Sequence, residues 1–396
     1  MQSDPFGWVG HTVAGKFRVD ALVAEGGFGV VYRALHVGFD ARVALKCLKV
    51  PARLQGPERE RFLEAFLAEG RLLHQLSRST AGIVQALDVG AEVSPSGAWT
   101  PYLALEWLEG APLDAELADR ARRGMPGRPL GEAVALLDSA ARALVLAHEQ
   151  GVAHRDLKPG NLFVATVGGQ RVCKVVDFGI AKVVADVSDL ARALQETGAA
   201  IQAFTPQYGA PEQFDRKYGA TGPWTDVFAF ALVVVEVMTG RPALDGADTT
   251  QLFVSSMRPD RRPTPRAAGL AVSDATEALF ARALAVDPRA RLPSMGAFWP
   301  ALVAEAARAP VVDALGATAY GPSPMARVAP LATPSPGASP MALAATAPAF
   351  AAFEPAALAA TALAPTVMGE ARVGGPAGPG GPSTTAPQMA PLAAAA

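Results

Sequence analysis

The chain has 396 residues, with 35 Lys and Arg against 37 Asp and Glu, a formal net charge of -2; no basic field marks it for nucleic acid or an anionic membrane surface. Two cysteines cannot build a disulfide framework, and no paired metal-ligand spacing occurs, which fits a reduced, cytoplasmic compartment. Half of the residues are hydrophobic, yet the longest apolar run, 227 to 235, lies between Asp226 and Glu236; it is shorter than the roughly 18 residues of a membrane span and reads as a buried helix, so no membrane insertion is expected.

The opening MQSDPFGWVG has no basic flank and no apolar stretch, so it does not read as a secretory signal. Residues 17–24, 29–35 and 41–50 are rich in β-branched side chains and predict three strands. A charged amphipathic helix is predicted over about 58–76. From Leu130 onward helical periodicity prevails, except for a strand-like stretch at 161–165 that turns at Gly168 and Gly169 into a second one at 172–176. A small β-rich part followed by a large α-rich part predicts two lobes with a cleft between them, an α+β organisation. The composition then changes. The 87 residues from Pro310 hold 15 of the 34 prolines and only five charged residues. Ala, Gly, Ser and Thr fill most of the rest, too little apolar surface to offset chain entropy, so a disordered tail is predicted from 309 to 396.

Four segments carry chemistry. Ala24-Glu-Gly-Gly-Phe-Gly29 lies between two predicted strands, and its glycines let backbone N–H groups approach a phosphate; alone, it reads equally well as a tight turn. The next strand carries Lys46 in apolar sequence, where an ammonium needs a carboxylate partner. Glu69, on the helical face of Leu73 and Leu76, is the candidate, with Glu64 as the alternative. His154-Arg-Asp-Leu-Lys-Pro-Gly-Asn161 offers a carboxylate able to deprotonate a hydroxyl nucleophile, a lysine able to neutralise a transferring phosphoryl group, and an amide oxygen for a metal. Asp177-Phe-Gly, after a hydrophobic strand, supplies a second hard oxygen ligand suited to Mg²⁺.

These motifs, in this order, resemble the Hanks-type, eukaryotic-like Ser/Thr protein kinases of bacteria, over about residues 12–305. The resemblance implies a protein kinase domain at 12–308, with an N-lobe at about 12–105, a C-lobe at about 109–308 and an N-terminal extension at 1–11. It implies ATP and Mg²⁺ as cofactors and transfer of the γ-phosphoryl group to protein Ser/Thr hydroxyls. Val23, Ala24, Gly26, Gly27, Phe28 and Gly29 would cover the phosphates. Lys46 would contact them and pair with Glu69. Leu105 would be the gatekeeper, the main chain of Glu106 and Leu108 would hold adenine, and Val31, Ala44 and Phe163 would sandwich it. Side-chain identity at Glu106 and Leu108 would then matter little. Asp156 would be the catalytic base, assisted by Lys158 and Asn161, with Asn161 and Asp177 on the metal. Lys158 and Thr205 resemble the Ser/Thr-specific pattern, Glu212 would pair with Arg291, and Asp226 would brace the catalytic loop.

Three positions depart from the family pattern: Ala24 for the first loop glycine, Phe204 for the glycine before Thr205, and Gly209 for a larger apolar residue. Ala24 predicts weaker nucleotide handling, and the other two put substrate preference in question. The stretch from Asp177 to Glu212 holds Ser188, Thr197 and Thr205, with Arg155 resembling the receiver of a loop phosphate; Thr197 is the expected autophosphorylation site. Ser323, Thr333, Ser335 and Ser339 each precede proline, which suits modification or docking of Pro-binding partners. A pseudokinase scaffold and a small-molecule phosphotransferase are the competing readings; intact Lys46, Asp156, Asn161 and Asp177 oppose the first, and the segment from Thr205 to Glu212 opposes the second.

Overall fold

Alternating burial along the first 48 residues builds four strands: β1 (Thr12–Val13), β2 (Phe17–Glu25), β3 (Gly29–His36) and β4 (Ala41–Leu48). The computed structural model describes residues 4–27, 29–51, 54–178 and 204–308. Two further strands, β5 (Ala86–Val93) and β6 (Trp99–Glu106), complete an antiparallel sheet in the order β1-β2-β3-β4-β6-β5. The register places Ala44 opposite Leu105 and Lys46 opposite Leu103.

Because side chains alternate across a strand, the sheet has two apolar faces. One receives α1 (Gly56–Ser79), whose buried Phe62, Phe66, Leu73 and Leu76 follow helical spacing. The other face carries Phe17, Tyr32, Leu45, Cys47 and Tyr102, and it is covered by Phe6 and Trp8 from the N-terminal segment. Asp4 fixes that segment by accepting the Tyr32 hydroxyl at 2.5 Å and the Val9 N–H at 2.9 Å. The stretch 4–11 is therefore packed structure.

The larger lobe holds α2 (Leu113–Arg122), α3 (Leu130–Glu149), α4 (Pro211–Phe214), α5 (Pro223–Thr239), α6 (Thr249–Met257), α7 (Asp274–Ala283) and α8 (Met295–Arg308). The apolar run is α5, buried at every residue from Thr225 to Met238 and ended by Gly240 at φ +75°. A small sheet of β7 (Gly110–Pro112), β8 (Leu162–Val167) and β9 (Gln170–Val175) follows the hinge sequence. Its β8–β9 turn uses Gly168 and Gly169, both at positive φ, as a two-residue hairpin requires. Among the described residues no helix is long and apolar enough to cross a membrane. Ser188 and Thr197, and the tail with Ser323, Thr333, Ser335 and Ser339, lie outside the described residues.

Candidate active site

The loop from α3 to β8 is positioned from beneath. Asp226 is fully buried near the start of α5, and its carboxylate accepts the backbone N–H of His154 at 2.6 Å and of Arg155 at 2.7 Å. His148 Nε2 lies 2.9 Å from the same carboxylate. The bracing role expected for Asp226 is thus present. His154 Nδ1 accepts from the Asp156 N–H at 3.2 Å, which leaves Nε2 to donate to the Val176 carbonyl at 3.0 Å. The His154 ring also meets Phe178 edge-on, with centroids 4.9 Å apart, linking the loop to the segment that carries Asp177.

On this support the polar groups converge. Asp156 Oδ1 accepts the N–H of Thr205 at 2.8 Å and its hydroxyl at 2.9 Å. Lys158 Nζ donates to the same hydroxyl at 2.9 Å and lies 3.4 Å from Asp156 Oδ2. Asn161 spends its amide nitrogen on the Asp156 carbonyl, at 2.7 Å, and on Oδ2, at 3.2 Å, so its Oδ1 is the end available to a cation.

Asp177 follows β9 with φ +61° and forms an ion pair of 2.7 Å with Lys46. Burial alone would raise its carboxyl, but the Lys46 ammonium, with help from Lys158, holds it below the ordinary carboxylate value. Asp177 is therefore an ionised oxygen donor at neutral pH. The described ion pair of Lys46 is this one; the partnership with Glu69 implied by the resemblance is not among the described contacts. Asp177 already supplies the countercharge that an ammonium only 11 % exposed demands. Glu69 is half-buried on α1 and has contacts of its own.

Ala44, Leu105, Leu108 and Phe163 belong to one large buried cluster, with Val31 packed against it. The β2–β3 hairpin supplies Val23, Ala24, Gly26, Gly27 and Gly29, while Phe28 lies outside the described residues. Gly26 N–H donates to the Gly29 carbonyl at 2.8 Å, and a Cβ on Gly29 would run into the Cys47 carbonyl. One assignment is corrected here. The Glu106 side chain is not indifferent, because its carboxylate accepts from the nearly buried Lys174 at 2.5 Å and from the Gln85 N–H at 2.8 Å. Its main-chain N–H donates to the Gln85 carbonyl at 2.9 Å.

Among the described residues no cluster of three or more His, Cys, Asp or Glu forms a metal site. Mg²⁺ needs none, since it is usually held by one or two protein oxygens with phosphates and water. An ionised Asp177 and the Asn161 Oδ1 fit that requirement. Below the site, Glu212 receives Arg291 through bonds of 2.6 and 2.8 Å, both side chains fully buried, and the Thr225 hydroxyl donates to the same carboxylate at 2.8 Å. This is the pair anticipated from the sequence.

The comparisons with known proteins agree with this geometry. The family model described as "Protein kinase domain" matches residues 17–299. The chain is 37% identical over 292 residues to serine/threonine-protein kinase Pkn1 of Myxococcus xanthus, covering 73% of this chain and 38% of that protein. It is 33% identical over 261 residues to serine/threonine-protein kinase PknA of Mycobacterium tuberculosis, covering 65% and 54%. The matched region thus spans about half or less of these relatives. A crystal structure of the Mycobacterium tuberculosis PknI kinase domain superposes with a TM-score of 0.50 at 25% identity, over 75% of this chain and 98% of that one. With the catalytic loop, the Lys46–Asp177 pair and the Glu212–Arg291 pair in one two-lobed fold, the chain belongs to the protein kinase domain family.

Proposed function

We propose that this protein transfers the γ-phosphoryl group of ATP to serine or threonine hydroxyls of proteins, its own included. The observation that carries the reading is the meeting of Asp156, Lys158 and Thr205 at one hydroxyl. Asp156 receives an O–H there, and Lys158 brings a positive charge to the same oxygen. An acceptor alcohol placed beside Thr205 would be oriented in the same way, with its proton directed to Asp156. As its oxygen bonds to the γ-phosphorus, the bond from phosphorus to the bridging oxygen of ADP breaks and the proton passes to Asp156. Lys158 stabilises the charge that develops on the transferring group.

By the family resemblance, Val31, Ala44 and Phe163 would sandwich the adenine, and Lys46 would receive the phosphates. Mg²⁺, when bound with the nucleotide, neutralises charge on its phosphates, and Asp177 with Asn161 would hold it. The 2.7 Å pairing of Lys46 with Asp177 holds the two side chains together at the site. The test is incorporation of labelled phosphate from Mg-ATP into a protein acceptor and into the chain itself. Wild type should label both and Asp156→Ala neither; equal labelling by the two would overturn the assignment.

A further inference from the structure

Two of the departures from the family pattern touch each other. Phe204 stands where a glycine is usual, and Gly209 where a larger apolar side chain is usual. In the fold, a Cβ built on Gly209 would lie 2.5 Å from Phe204 Cε2 and 2.6 Å from Phe214 Cε2, closer than real Cβ contacts come. The Phe204 ring therefore occupies the space that a side chain at 209 would fill. Phe214 holds it edge-on, with centroids 4.9 Å apart, and Phe214 in turn stacks on Phe253 of α6 at 5.0 Å. The ring is half-buried, so part of it faces outward.

Its place matters because Thr205 is the next residue. The Thr205 hydroxyl marks where Asp156 and Lys158 meet an alcohol, so a residue adjoining the acceptor hydroxyl falls against the side chains that flank Thr205. On this side the flank is an anchored aromatic ring. Such a surface suits a flat, rigid partner, and proline on an aromatic face is a recurring mode of peptide recognition. A branched aliphatic side chain would need a recess, which the ring has filled. The chain's own sequence points the same way: Ser323, Thr333, Ser335 and Ser339 are each followed by proline.

We propose that Phe204 replaces the missing side chain at 209 as the wall beside the acceptor hydroxyl. This wall selects proline as the residue that follows the phosphorylated serine or threonine, so Ser-Pro and Thr-Pro segments are the substrate class and residues 323–340 are among them. The inference rests on the phosphoryl-transfer reading of the same site.

The packing half is tested without activity. Melting temperatures are compared for wild type, Phe204→Gly, Gly209→Leu and the double variant. Gly209→Leu should lose several degrees, and adding Phe204→Gly should restore most of them; strict additivity would overturn the exchange. The selectivity half compares kcat/KM on peptides of identical flanks containing Ser-Pro, Ser-Val or Ser-Ala. Wild type should favour Ser-Pro over Ser-Val about tenfold, and the double variant should lose or invert that ratio. A ratio near one in wild type, or an unchanged ratio in the double variant, would overturn the proposal. Absence of phosphate incorporation into any acceptor would instead overturn the kinase reading, and the melting data would still judge the exchange. Mass spectrometry of the full chain after Mg-ATP treatment should find phosphate at Ser323, Thr333, Ser335 or Ser339. Modification confined to sites not followed by proline would count against the substrate class.

Discussion

Asp226 holds Arg155 in a left-handed backbone conformation: the Arg155 N–H donates to Asp226 Oδ1 at 2.7 Å, and the residue has φ +67°. For a non-glycine residue that geometry costs about 1–3 kcal/mol unless its surroundings enforce it. Here the enforcement comes from a buried carboxylate that also binds the preceding N–H and a histidine. Asp156 follows directly, so the orientation of its carboxylate depends on the support that Asp226 gives the two residues before it.

Asp226→Asn would keep the shape but leave one buried donor without its acceptor. The expected loss is about 1–3 kcal/mol, seen as a fall of several degrees in melting temperature. Phosphate incorporation should fall by a factor of a hundred or more while nucleotide affinity changes little. Calorimetric nucleotide titration together with a labelling assay would separate the two effects; equal losses in binding and turnover would count against a positioning role.

Lys46→Met should reverse the acid response of Asp177. In wild type the carboxyl lies below its ordinary value of 3.8, so its contribution is complete above that pH and is lost only as pH falls through the lower, folded value. Without the ammonium, burial dominates and the folded value rises above 3.8. The variant then loses stability as pH rises through that raised value. The difference in melting temperature between wild type and Lys46→Met should therefore widen from pH 4 to pH 7; a constant difference would contradict the pairing.

Glu236 on α5 offers the opposite sign. Burial raises its carboxyl above 4.5, although the Tyr208 hydroxyl donates to it at 2.7 Å and partly offsets the effect. A raised folded value means stability that is full below the unfolded value and declines as pH climbs through the folded one. Glu236→Gln can still accept from Tyr208, so it should melt about 1–3 °C higher than wild type at pH 7.5. That advantage should shrink on acidification. Parallel pH profiles would exclude a charged Glu236 as the source.

Glu212 and Arg291 form the most deeply buried ion pair described, with no side-chain exposure on either partner. Removing one partner strands the other charge at a cost of about 3–5 kcal/mol. Glu212→Ala should therefore unfold at least ten degrees earlier. The double variant Glu212→Met, Arg291→Met should recover a large part of the loss, as read in a denaturant-based mutant cycle.

Much of the candidate site was legible because its residues stand at short spacings: Asp156, Lys158 and Asn161 lie within six residues, and Asp177 begins its own motif. The three predicted N-lobe strands and the helix before β5 appeared within a few residues of their expected bounds, since their periodicity reflects one buried face. What escaped was tertiary in origin. No local pattern couples Glu106 to Lys174 across 68 positions. Nor does any local pattern join Lys46 to Asp177, 131 positions later. Phe204 and Gly209 were each visible as departures, but only the direction of a ring shows that one compensates for the other.

The N-terminal segment has a consequence for how this protein is handled. The family match begins at residue 17, yet Phe6 and Trp8 are only 6% and 3% exposed beneath the sheet. Trimming to the matched region would bare Tyr32, Cys47 and Tyr102 to water. Cys47 is the immediate neighbour of Lys46 on β4, pointing to the opposite face. Whatever loosens the rear wall of the small lobe, whether a cleaved tag, a fused domain or a bound partner, thus acts one residue away from Lys46 and its ion pair with Asp177.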